Sequence, residues 1–209
     1  MGAVLLCLAA ASAAAQEKAD GQAVAADTAL ERSLKKLDDL MPPERSAQLQ
    51  AQQRDWARRR DRECTPTDKP ASGSNALAQA AQCRSKMALQ RAELLESLQP
   101  PARQPPKDGL NCAEAQKGTL ACFQQQRASI EYGVHVLYIS TALDLPELQA
   151  ERLHAEQKRW LEEGEQSCRL NGYAHEHEDQ AICHFRRGLE RVKVYRSDWR
   201  PLARAEAKP

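Results

Sequence analysis

Apolar residues recur along this chain at helical spacing. Leu30, Leu34, Leu37 and Met41 form one series, Leu49 and Trp56 a second, and Cys83, Met87, Leu94 and Leu98 a third. The pattern resumes with Ile130, Val134, Leu137 and Ile139, then Leu153, Trp160 and Cys168, and closes with a helix expected from about Asp179 to Trp199. Residues at such spacings share one helix face. Asp27 suits the N-cap of the first helix, which leaves the polar, Ala-rich stretch Gln16–Ala26 to fray. Pro42-Pro43 ends that helix and opens the next, and Leu145-Pro146-Glu147 repeats the device later. Thr65–Ser74 has loop composition, with Asn75 placed to cap the third helix. Gln99–Lys107 carries two Pro-Pro pairs and favours an extended spacer.

The pattern is duplicated. Leu49, Gln53, Trp56 and Cys64 have the mutual spacing of Leu153, Gln157, Trp160 and Cys168. After the second cysteine of each set, Arg91-Ala-Glu-Leu-Leu95 matches Arg191-Val-Lys-Val-Tyr195, and Leu30 and Leu34 fall in register with Val134 and Tyr138. A supersecondary unit used twice is the simplest source of such self-similarity. The expected fold is therefore all-α: two tandem small helical modules, each a disulfide-closed helical hairpin with an additional packed helix. Their expected limits are residues 16–98 and 109–200, with a Pro-rich linker at 99–108 and a tail at 201–209. Ala, Leu, Gln, Glu and Arg dominate the composition while Val and Ile are few, which favours helix over sheet. Low aromatic content argues for small stapled modules over one large core.

Residues 1–15 read as a secretory signal peptide. The apolar run Ala3–Ala11 is too short to span a bilayer and leads to Ala13-Ala14-Ala15 before Gln16. Cys7 falls within the segment expected to be removed, which leaves six cysteines in an exported chain. That points to disulfides and a periplasmic or secreted location in a bacterial cell envelope. The duplication pairs Cys64 with Cys83 and Cys168 with Cys183, and Cys112 with Cys122 remains. No C-x-x-C occurs, so neither a zinc ribbon nor a thioredoxin-like site is expected.

Charge and motif content narrow the function. The formal net charge is +1, which gives no support to nucleic-acid binding. The arginine run at Arg54, Arg58, Arg59 and Arg62 is interleaved with acids and reads as a solvated helix face. Arg60, Asp61 and Arg91 are expected to form a structural polar cluster beside the first disulfide. No phosphate loop, nucleophile elbow or acid/base pair is present, so no enzyme activity and no cofactor are expected. His175-x-His177, with His184 nearby, lacks the helical spacing and third ligand of a dedicated metal site.

Gln53-x-x-Trp56-x-x-x-Arg60-Asp61-x-Glu63-Cys64, followed by Cys83 and Arg91-Ala-Glu-Leu, resembles the N-terminal domain of LprI-type lysozyme inhibitors. The second module is similar but divergent: it keeps Gln157, Trp160, Cys168, Cys183 and Arg191 but has Gly164-Glu165 in place of Arg-Asp. Asn111-Cys112-Ala-Glu-Ala with Cys122 is similar to the opening seen in many relatives. The resemblance implies an exported protein that binds a protein partner, a lysozyme-type muramidase, and occludes its cleft. The shared residues Trp56, Arg60, Asp61, Arg91, Trp160 and Arg191 are those of a scaffold, with Trp56 and Trp160 expected to be buried equivalents, each beside its module's disulfide. The candidate contact is the loop of the second module, Tyr173, His175, Glu176, His177, Glu178 and Asp179, whose acidic and aromatic character suits a cationic enzyme. The alternatives are an envelope interaction module that binds no lysozyme, and a metal-binding accessory protein using the His175 loop.

Overall fold

The computed structural model of the chain describes residues 3–65, 74–100, 110–113, 117–169 and 176–199. Among them every regular element is helical: α1 (Ala3–Asp38), α2 (Pro43–Glu63), α3 (Ser74–Ser97), α4 (Leu120–Asp144), α5 (Glu147–Arg169) and α6 (Glu176–Val194). A π-helical turn, Tyr195–Trp199, continues α6. The chain divides into two compact units, Met1–Ser97 and Leu98–Pro209, with three α-helices in each. Disulfides Cys64–Cys83, Cys112–Cys122 and Cys168–Cys183 staple them. The first and third close loops whose entropy is worth roughly 3 kcal/mol each in the chain-entropy model. No helix among the described residues is long and apolar enough to cross a membrane.

In the first unit α1 is one continuous helix, which corrects the expected frayed segment and the cap at Asp27. Ala, the strongest helix former, fills much of the stretch before Asp27, and the lone Gly21 does not outweigh it. Ala26, Leu30, Ser33 and Leu37 make its buried face. That face packs mainly on α3, where Ala80, Ala81, Ala88, Ala92 and Leu95 are buried. Small side chains at a helix contact permit close axes, and Ser33 Oγ donates to Glu96 Oε1 across the seam at 3.1 Å. The α1–α2 turn ends at Pro42, extended at φ −66° and ψ 155°, with Pro43 beginning α2. A proline there loses no helical bond. The arginine run of α2 makes local ion pairs, Arg58 with Asp55 and Arg59 with Glu63; the first is solvated and contributes little, whereas the Arg59 side chain is only 13% exposed.

The second unit opens on a short turn closed by Cys112–Cys122 and leading into α4. Gly118 takes φ 79°, a conformation that favours glycine. Thr119 then caps α4, accepting a hydrogen bond from Cys122 N at 3.3 Å. The main contact is α4 on α6. At Gly188 the helices approach closely: an added Cβ would lie 2.7 Å from Ile130 Cγ1 and 2.9 Å from Cγ2. At the same register in the first unit stand Ala26 and Ala88, both buried; volume has moved from one helix to the other. Gly188→Ala is expected to destabilise the protein by about 1–3 kcal/mol through overpacking. Adding Ile130→Ala should return part of that loss in urea titrations, whereas equal midpoints for wild type and Gly188→Ala would refute the contact.

The last helix begins at Glu176, three residues before its expected start at Asp179. Glu178 and Asp179 thus lie in its opening turns, where carboxylates oppose the partial positive charge of the helix end. It also stops short of Trp199, giving way at Tyr195 to the π-helical turn, whose first side chain is fully buried.

Candidate functional site

Both units build the same polar link between their second and third helices. Arg91 Nε donates to Gln53 Oε1 at 3.1 Å, and Arg191 Nε donates to Gln157 Oε1 at 3.0 Å. Both arginines are buried. In the second unit Tyr195 OH adds a 2.8 Å bond to the same Gln157 oxygen, and Arg191 Nη1 reaches Glu156 Oε1 at 2.5 Å. Burial holds the Tyr195 phenol well above the usual tyrosine range, so it stays a neutral donor.

The two tryptophans differ. Trp56 is 2% exposed, with the Arg60 guanidinium 5.0 Å from its ring centre. Arg60 also donates to Asp27 Oδ1 at 3.2 Å and Asp61 Oδ1 at 3.3 Å. Trp160 is only half-buried, which corrects its expected burial as an equal of Trp56. The cause lies in Gly164 of α5 and Arg187 of α6 together. The position matching Arg60 is Gly164, so no side chain four residues on covers the indole. Arg187 of α6 enters this space instead. Its Nε would lie 3.2 Å from a Cβ at Gly164, its Nη2 donates to Trp160 O at 3.0 Å, and its guanidinium lies 5.7 Å from the ring centre. In the first unit the position matching Arg187 is Met87, which lies against the disulfide, its Sδ 3.6 Å from Cys64 Sγ.

A groove of about 710 Å³ opens beside Trp160, walled by α4, α5 and α6. Glu131 Oε1 accepts from Arg127 Nε at 2.8 Å and stands 3.9 Å from His184 Nδ1; Arg127 Nη2 is 3.9 Å from Glu165 Oε1. His184 is 9% exposed. Burial lowers its pKa first, the charge of Arg127 second, with Glu131 and Glu165 opposing and Arg187 assisting. The unfolded chain therefore binds a proton at His184 before the folded one does. Stability is expected to fall as pH drops from about 6.5, the ordinary histidine value, toward the lower folded one. Urea midpoints at pH 7.5 and pH 5 should show this decline, and His184→Gln should flatten it; an unchanged slope in His184→Gln would assign the decline to other groups.

Of the expected contact residues, Tyr173 and His175 lie outside the described residues, as do the linker at 101–109 and the tail. Glu176 starts α6, His177 is exposed on it, and Glu178 and Asp179 are half-buried. Of the described ones, Glu176, His177, Glu178 and Asp179 do not line the groove, whereas His184, one residue after Cys183, does. Among the described residues no group of three or more His, Cys, Asp or Glu side chains is placed to hold a metal. The groove residues Arg127, Glu131 and Arg187 escaped the sequence reading. The signal available was the loss of Arg60 at Gly164 paired with the gain of an arginine at the register of Met87.

Residues 7–95 match the family model of the lysozyme inhibitor LprI. The match takes in α2, most of α3 and the Cys64–Cys83 disulfide, lies wholly within the first unit, and spans less than half of the chain. No curated protein and no solved structure matches the chain.

Proposed function

We propose that this is an exported protein of the bacterial cell envelope that binds a lysozyme-type muramidase and inhibits it by occluding its cleft, without chemistry of its own. The observation that carries this reading is the match of residues 7–95 to the lysozyme inhibitor family. Three disulfides in a small helical chain suit an oxidising compartment, and residues 1–15 serve as the export signal. The second unit is a divergent copy of the first. Support for this is the repeated link of a third-helix arginine to a second-helix glutamine, beside a disulfide joining the same two helices.

The contact surface in this proposal is the acidic segment from Tyr173 to Asp179. An interface of this kind weakens as salt rises. Replacing Tyr173–His175 by Gly and Ser, with Glu176→Gln, Glu178→Gln and Asp179→Asn, is expected to reduce inhibition at least about tenfold, the effect of losing ~1.4 kcal/mol of binding. Helix content should stay near that of the wild type. Full inhibition by the altered protein would move the contact elsewhere. The Trp160 groove favours a second reading, an envelope interaction module that binds something other than lysozyme, because this ligand-sized concavity lies outside the family match.

A further inference from the structure

Opening the groove beside Trp160 took two matched changes. In the first unit Arg60 covers Trp56 and ties it to Asp27. In the second, Gly164 removes that cover, and Arg187 fills part of the space from the other side. What remains has an apolar floor and a charged wall. Trp160 and Tyr132 line it, and Leu161 stands at its lip, 53% exposed. The charges of the wall answer one another, Arg127 bonding to Glu131 and approaching Glu165. Two wall groups stay unanswered: His184 Nε2 and Arg187 Nε are buried without a hydrogen-bond partner. Buried polar groups of this kind usually have partners.

We propose that this groove is a saccharide-binding site. A cation meets a place already taken, since the Arg187 and Arg191 guanidinia lie 5.7 and 5.8 Å from the Trp160 ring centre and the Glu131 carboxylate is paired. An anion would face Glu131 and Glu165. A wholly apolar ligand would bury ionised walls without bonding to them, which is costly. A sugar ring carries no charge, packs its C–H face on the part of the half-buried indole that the two guanidinia leave open, and offers hydroxyls that both donate and accept. Such groups can accept from Arg187 Nε–H and bond to His184 Nε2 in either imidazole tautomer, once both side chains turn to bring these buried atoms to the groove. The volume of about 710 Å³ lies within the roughly 300–1,000 Å³ range of small-molecule sites. This site is independent of the muramidase reading and can stand or fall without it.

The test is an NMR titration of the mature protein, following the Trp160 indole resonances assigned through Trp160→Phe. The probes are glucose, N-acetylglucosamine and chitobiose, with arginine and acetate as charged competitors. Trp160 should shift saturably with at least one saccharide and with neither charged probe. Gly164→Arg combined with Arg187→Met restores the first unit's pair and should weaken binding at least tenfold. Leu161→Arg, at the exposed lip, should weaken it similarly and serves if the double variant does not fold, as judged by near-ultraviolet circular dichroism. Trp160 signals unmoved by all three saccharides would overturn the proposal. So would a response to arginine or acetate in their place, or wild-type saccharide affinity in the folded variants.

Discussion

Trp56→Ala is expected to destabilise the protein by about 3–5 kcal/mol, the range for truncating a fully buried large aromatic. The ring is 2% exposed, sits beside Leu49 and Gln52 on the buried face of α2, and carries the Arg60 guanidinium over it. Removing it leaves a cavity beside Leu49 and Gln52 on the buried face of α2 and leaves Arg60 without its aromatic partner. Trp160→Ala should cost clearly less, because that indole is half-buried and its removal enlarges an existing groove instead of creating a closed cavity. Urea denaturation of both variants, with hydrogen exchange read separately in each unit, makes the comparison. A loss below about 1 kcal/mol for Trp56→Ala is what surface substitutions give, and it would contradict the burial described.

Gln157→Leu should have the next largest effect, about 3 kcal/mol. One side-chain oxygen accepts from both Arg191 Nε and Tyr195 OH. Leucine has similar volume and no acceptor, so two buried donors lose their partner, at roughly 1–3 kcal/mol each. Arg191 keeps its bond to Glu156, and that moderates the sum. The first unit supplies an internal control. Gln53 accepts from Arg91, but Leu95 stands where the second unit has Tyr195, so Gln53→Leu costs one donor its acceptor instead of two. Gln157→Leu should therefore exceed Gln53→Leu when each is read from urea midpoints. The reverse order would mean that the tyrosine bond carries no weight.

The contrast between these residues shows what the sequence made legible. Helix type, disulfide pairing and the scaffold positions Trp56, Arg91 and Arg191 could be read because each is fixed by spacing within the chain and by its repetition. A cysteine pair needs only its two positions, and a buried stripe needs only its period. The open state of Trp160 was not legible in the same way. It depends on Gly164 of α5 and Arg187 of α6 together, and the pattern of α5 alone is silent about what α6 brings into the vacated space. Ile130 and Gly188 make the same point at the α4–α6 contact. The start of α6 was missed for a local reason: His175-Glu-His-Glu-Asp179 has loop-like composition, yet its acids suit the first turns of a helix. The continuity of α1 was missed because a polar, Ala-rich stretch has no apolar period to reveal it, although Ala alone favours helix.

Muramidase activity measured against increasing amounts of the purified mature protein, beginning at Gln16 with its disulfides formed, tests the central claim most directly. The proposed function predicts loss of activity that saturates near one inhibitor per enzyme at low salt and weakens as salt is added. Undiminished activity of every lysozyme-type enzyme tested, at protein in large excess and low salt, would contradict it and leave the envelope interaction reading in its place.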